Sequence, residues 1–175
     1  TEDDQPSLDH LYQLAWKTNT SPKIHHFLWR CISNILPVAG NMARKHISKE
    51  AGCYRCGHEV ETVNHMLFQC PLARLVWALT PIPAPPDGMM MQSLYSNIYH
   101  VLSVQKQYPN DDVQADIVPW LMWRLWKNRN ELIFQGKERA AEEIVRRAIE
   151  DAEEWRGRKQ GEIEEVKRSE VKTTT

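Results

Sequence analysis

The residues in this chain best equipped for chemistry are three cysteines and a histidine in the run CYRCGHEVETVNHMLFQC, from Cys53 to Cys70. Cys53 and Cys56 are separated by two residues, Cys56 and His65 by eight, and His65 and Cys70 by four, which is the spacing of a zinc site. A two-residue gap lets two thiolates converge on one ion, and Gly57 removes a side chain where the turn's amides approach sulfur. Thr62 is placed to cap a short helix from which His65, with Cys70, closes the tetrahedron at about 2.0–2.3 Å from the metal. Four protein ligands leave no open position for water, so the expected zinc is structural rather than catalytic. A disulfide among these cysteines is the competing reading. The odd count in the run, the tightness of CxxC and the absence of a secretory signal argue against it. His58 lies two residues past Cys56, too close to replace His65. Cys31, on the apolar stripe of a helix, reads as a small buried hydrophobe.

Such a loop has to be held by other elements, and the rest of the chain reads as helix. LDHLYQLAWK sets Leu8, Leu11, Tyr12, Ala15 and Trp16 on one face. PKIHHFLWRCISNILP opens with Pro22 after Ser21 and spaces Ile24, Phe27, Leu28, Cys31, Ile32 and Ile35 helically until Pro37. PLARLVWAL places Leu72, Leu75, Val76 and Leu79 on one stripe. PIPAPPDG then breaks regular structure. Beyond it, MMMQSLYSNIYHVLSVQ spaces Met91, Leu94, Ile98, Val101, Leu102 and Gln105 helically. DIVPWLMWRLWKNRNELIF carries Trp120, Trp123, Trp126 and Phe134, with Pro119 tolerable near its first turn, and its tryptophan stripe reads as core. KERAAEEIVRRAIEDAEEWRGRK combines good helix formers with Ile144, Val145, Ala148, Ile149, Ala152 and Trp155 in a narrow stripe. The expected fold class is therefore mainly α: a small helical domain with a CCHC zinc loop, then a Trp-rich helical segment and a long C-terminal helix. The expected divisions are a zinc-binding domain at 1–80, a Pro-rich linker at 81–90, a helical segment at 91–160 and a disordered tail at 161–175, where charge alternates with few apolar residues.

With 42% hydrophobic residues over 175 positions, the chain can bury one sizeable core, or one core and a satellite. No stretch approaches the roughly 20 apolar residues of a membrane span, so a soluble, intracellular protein of nucleus or cytoplasm is expected. A start at Thr1 instead of Met points to a piece of a longer chain or a processed form. The net charge of −1 hides an uneven distribution. From Lys23 to Trp77 seven basic residues face three acidic ones, a local +4, whereas the segment from Lys137 onward holds ten basic and eleven acidic residues. A modest nucleic-acid partner fits that balance better than a strong one.

The succession SPKIHHFLWRCISNILPVAGNMARKHI, CYRCG and ETVNHMLFQCPLARLVW resembles the zinc-binding domain that follows the reverse transcriptase in plant non-LTR (LINE-type) retroelements. PWLMWRLWKNRNELIF resembles the segment that lies before an RNase H domain in the same families. The metal ligands of that family map onto Cys53, Cys56, His65 and Cys70, and the pattern departs at Val38-Ala39-Gly40, where many relatives carry a threonine and charged residues. The resemblance implies a module from a retroelement polyprotein that helps hold RNA or target DNA. It does not imply an enzyme: the sequence offers neither paired aspartates on a strand for polymerisation nor a strand-borne carboxylate set for RNase H. The expected function is a zinc-dependent module that binds RNA or single-stranded DNA weakly. Lys23, His25, His26, Arg30, Arg44, Lys45 and Arg55 would contact phosphates, and Tyr54 would stack on a base. The alternative is a zinc-stabilised helical adaptor that binds a protein, or itself, through the Trp-rich and C-terminal helices.

Overall fold

The computed structural model describes residues 7–86 and 93–173. Eight α-helices order the described residues, which contain no strand: α1 (Leu8–Lys17), α2 (Pro22–Ile32), α3 (Ala39–Arg44), α4 (Pro71–Ala78), α5 (Leu94–Leu102), α6 (Val104–Gln107), α7 (Val118–Gln135) and α8 (Ala141–Thr173). The first helix starts where the Ser7 hydroxyl accepts from the His10 amide, and α2 starts with Pro22 in its first turn. Pro119 also falls in the first turn of α7, where its missing N–H costs no helical bond.

Helix α7 is the axis of the molecule. It packs along α8 and meets α2 and α5, while α1 crosses α2 and α5, and α4 lies against α8. Ile24, Phe27, Leu28, Cys31 and Ile32 of α2, Trp120, Leu121, Met122, Leu125 and Trp126 of α7, and Ala141, Ile144, Ala148 and Ala152 of α8 all belong to one continuous apolar core. Residues from both sides of the proline-rich segment thus share that core. The start of the segment touches the body: Ile82 is buried and the His100 ring of α5 bonds the Pro83 carbonyl at 2.7 Å. The rest of the expected linker and the start of the next segment, Asp87 to Gln92 including Met91, lie outside the described residues.

Several faces differ from those the periodicity predicts. On α1 only Leu11 and Ala15 are buried, and Trp16 is 60% exposed. One i,i+4 pair is enough to seat so short a helix on its neighbours. On α4 the buried set is Ala73, Val76 and Trp77, with Leu75 and Leu79 exposed, because the Trp77 indole reaches in to donate to the Leu67 carbonyl at 2.7 Å. Helix α2 ends at Ile32, before Pro37, and Asn34 takes a left-handed conformation that leaves Ile35 outside. Phe134, grouped by sequence with the core tryptophans, is 77% exposed. The tail expected to be disordered from Gly161 is helical through Thr173. It stands off the body with all its residues exposed, and side-chain pairs such as Lys159–Glu162 and Gln160–Glu164 carry the turn onward.

Candidate metal centre

Between α3 and α4 the chain makes the loop that carries the four candidate ligands. Its neck is closed by paired backbone bonds: the Glu61 amide donates to the Ala51 carbonyl at 2.7 Å and the Cys53 amide to the His58 carbonyl at 2.9 Å. Inside the neck the Gly57 amide donates to the Cys53 carbonyl, closing the turn that brings Cys56 back towards Cys53. Gly57 has φ +76°, a conformation that side chains with a Cβ adopt only under strain. His65 opens a wide helical turn, His65–Gln69, whose closing bond runs from the Cys70 amide to the His65 carbonyl five residues back. As the sequence suggests, Thr62 caps this turn: its hydroxyl accepts from the His65 amide at 2.9 Å. The wide turn delivers His65 and Cys70 to the same side of the loop, and Cys70 then serves as the residue before α4.

The outcome is convergence. One ligand atom from each of Cys53, Cys56, His65 and Cys70 lies within 4.8 Å of all the others, and Cys56 Sγ is 3.2 Å from His65 Nε2. Ligands around one tetrahedral zinc ion sit about 3.5–3.8 Å apart, so three soft sulfurs and an imidazole at this separation fit a single such ion. Cys53, His65 and Cys70 are buried, Cys56 is exposed. Because Cys70 donates its proton to Cys53, the Cys53 thiol is pulled well below the usual thiol range; the same bond, reinforced by burial, pushes Cys70 up. Two buried sulfurs within 4.8 Å of each other are a pair that a soft cation can bridge. His58 stacks flat on His65, centroids 4.7 Å apart, and remains outside the cluster. Cys31 is fully buried in the apolar core and its thiol is pushed up by that burial, as expected of a residue that packs and does not ligate.

Contacts from α7, far along the chain, hold the loop in place. Glu61, 2% exposed, accepts at Oε1 from the Ala39 amide at 2.7 Å and takes both Nε and a terminal nitrogen of Arg129. Arg129 also lies over the Trp126 ring at 5.1 Å. One residue earlier in α7, Asn128 accepts from Arg55 at 2.7 Å. At the other edge of the loop Gly40 abuts it: its amide donates to the Glu61 carbonyl, and a Cβ there would stand 2.7 Å from that oxygen. Sequence reasoning missed Glu61, Asn128 and Arg129 as members of this assembly. The signal was present in WKNRNELIF, whose polar residues interrupt an apolar helix, but nothing in the spacing pairs position 129 with position 61.

The residues expected to meet nucleic acid fall into separate groups. Arg44 and Lys45, at the end of α3, are exposed, and Tyr54 is 70% exposed on the loop. On α2, Lys23 lies over the Trp123 ring, His25 Nε2 bonds the Thr18 carbonyl, His26 stacks on Trp29 and Arg30 is half-buried. Arg55 does not join them. Its guanidinium is turned inward to Asn128, with Glu138 at 3.9 Å, away from the exposed cations of the expected phosphate set. An arginine between two ligands is drawn to the helix that covers them.

A helical body closed over a Cys3His cluster defines the class: a small metal-binding module without strands among its described residues. Residues 2–77 match the model of the family described as zinc-binding in reverse transcriptase. A protein of Arabidopsis thaliana called a ribonuclease H protein is 24% identical over 136 residues, which cover 74% of this chain and 21% of the relative. The chain therefore spans about a fifth of that relative's length. No solved structure matches it.

Proposed function

We propose that this chain is a non-catalytic module of a retroelement-derived polyprotein, in which one zinc ion held by Cys53, Cys56, His65 and Cys70 fixes the loop and the N-terminal half binds RNA or single-stranded DNA through phosphate contacts. One observation carries the second part. Lys17, Lys23, Arg30, Arg44, Lys45, Lys49 and Arg74 form no ion pair among the described residues, whereas the arginines from Arg124 to Arg158 are all tied to carboxylates. A surface whose cations have no partner of their own attracts polyanions; the C-terminal half, where the arginines are neutralised and only scattered cations such as Lys127 and Lys137 are left, does so less. The ribonuclease H activity in the relative's name is assigned to the part of such proteins outside this chain. Glu61, the buried carboxylate among the described residues, is committed to Arg129. The compartment that fits a nucleic-acid role is the nucleus or the cytoplasm, and no helix among the described residues is long and apolar enough to cross a membrane.

The test is a salt series on binding to single-stranded RNA. With several phosphates engaged, log Kd should rise linearly with log salt at about 0.7 per contact. Replacing Arg44, Lys45 and Lys49 together with glutamate should weaken binding about a hundredfold at low salt and flatten the slope. A parent protein that binds no single-stranded RNA or DNA at low salt would sink the reading in favour of a zinc-stabilised adaptor. That second reading draws on the exposed Leu79, just past α4, which lines an apolar groove of about 330 Å³ with Val145 and Ile149 of α8.

A further inference from the structure

The α1–α2 surface carries an aromatic row that neither the core nor the metal loop uses. Trp16 of α1, 60% exposed, lies against His25 of α2 with ring centroids 5.4 Å apart. One turn on, Trp29 is 38% exposed and stacks on His26 at 5.9 Å. With Ile24, Phe27, Leu28, Cys31 and Ile32 buried, helical geometry puts His25, Trp29 and His26 side by side on the outer face of α2, with Lys23 and Arg30 flanking them. Trp16 keeps most of its ring in water and Trp29 more than a third, so neither ring is fully used by the fold.

We infer that Trp16, His25, His26 and Trp29 form a stacking platform for the bases of single-stranded nucleic acid, with Lys17, Lys23 and Arg30 taking the adjoining phosphates. This rests on the nucleic-acid reading above and names its base-contacting site. Charge decides for this occupant over a protein partner. The three cations have no carboxylate partner, and the acids nearest the Lys23 end, Asp151 and Glu154, are held by Arg124 and Arg158. An exposed aromatic surface edged by unpaired cations is the arrangement that binds single strands with little sequence preference, because every base offers a π-face.

The experiment measures fluorescence anisotropy of labelled single-stranded RNA and DNA homopolymers of about twelve nucleotides, within the span of such sites, and of a duplex, against the full-length zinc-loaded chain. Trp16→Ala and Trp29→Ala should each raise Kd for the single strands about five- to a hundredfold while leaving the salt slope unchanged. The duplex, whose bases are already stacked, should change less than about twofold. Trp29→Phe should recover part of the affinity, and circular dichroism and zinc content keep an unfolded variant from being scored as a loss of binding. If both alanine variants bind single strands as the parent does while the Arg44, Lys45 and Lys49 charge reversal abolishes binding, the platform is wrong and the phosphate reading survives. If the parent binds no single strand at low salt, both fail.

Discussion

Glu61 and Arg129 meet with side chains 3% and 11% exposed, and the pair spans 68 residues of sequence to tie the metal loop to α7. Removing one member strands the other charge away from water, which costs far more than the intact pair gains. Arg129→Met is therefore expected to lower the unfolding free energy by about 3–5 kcal/mol in urea titrations of the zinc-loaded protein. The joint replacement Glu61→Gln with Arg129→Met, which keeps an acceptor for the Ala39 amide, should recover part of that loss, and a double variant no better than the single one would show that the stranded charge is not the source of the cost. Cys31 provides the contrast at the same scale. It is fully buried among apolar side chains, so Cys31→Ser should cost about 1–3 kcal/mol through an unpaired hydroxyl. Metal analysis of that variant should still give one zinc per chain, whereas Cys56→Ser together with Cys70→Ser should give none.

At the scale of elements, the loop and the helices depend on the metal unequally. Zinc binding supplies on the order of 10 kcal/mol in small fingers, and the segment from Lys45 to Asn64 has little helix and few buried apolar residues of its own. Removing the metal with a chelator should disorder that segment and disturb the Phe68–Trp77 stack next to it, while most of the far-UV helical signal persists. Complete collapse of the helical signal would mean that the apolar core does not stand without the ion. Much of this was legible in the sequence, because local rules governed it: the CCHC spacing converges as expected, Thr62 caps its turn, Ser21-Pro22 starts α2, and Pro119 is accepted in the first turn of α7. What escaped is what tertiary packing decides. Periodicity cannot say that Trp16 and Phe134 face water while Trp120 and Trp126 do not, since all four lie on apolar stripes and only the neighbours differ. Nor does composition reveal that Arg55, flanked by two ligands, is claimed by Asn128.

For the molecule as a whole, the shared core has a direct consequence for dissection. The family match ends at residue 77, yet α1, α2 and α4 bury their apolar faces against α5, α7 and α8. A fragment of residues 1–80 should take up zinc but unfold without a sharp transition, and it should expose apolar surface to a hydrophobic dye. Adding a fragment of residues 81–175 should restore a cooperative melt. If 1–80 alone melts as sharply as the whole chain, α7 and α8 are accessories rather than parts of one folding unit.

Gly40 shows how selection would act on this architecture. It binds no metal and takes no unusual backbone angle, so a list of important residues drawn from chemistry would pass over it. Yet a single added carbon would press on the Glu61 carbonyl and on Val60 Cγ1 at 2.8 Å, pushing away the strand of chain that leads to Arg129. In a saturation-mutagenesis screen of this sequence scored for zinc retention, substitutions at position 40 should therefore be depleted, though less severely than those at the four ligands, because the backbone at 60–61 can shift where the ligands cannot be replaced. Gly157 and Gly161, with open space around them on α8, should accept nearly all replacements. Inherited variation at this locus would then be filtered by the room between two segments of backbone as well as by the donors that hold the ion.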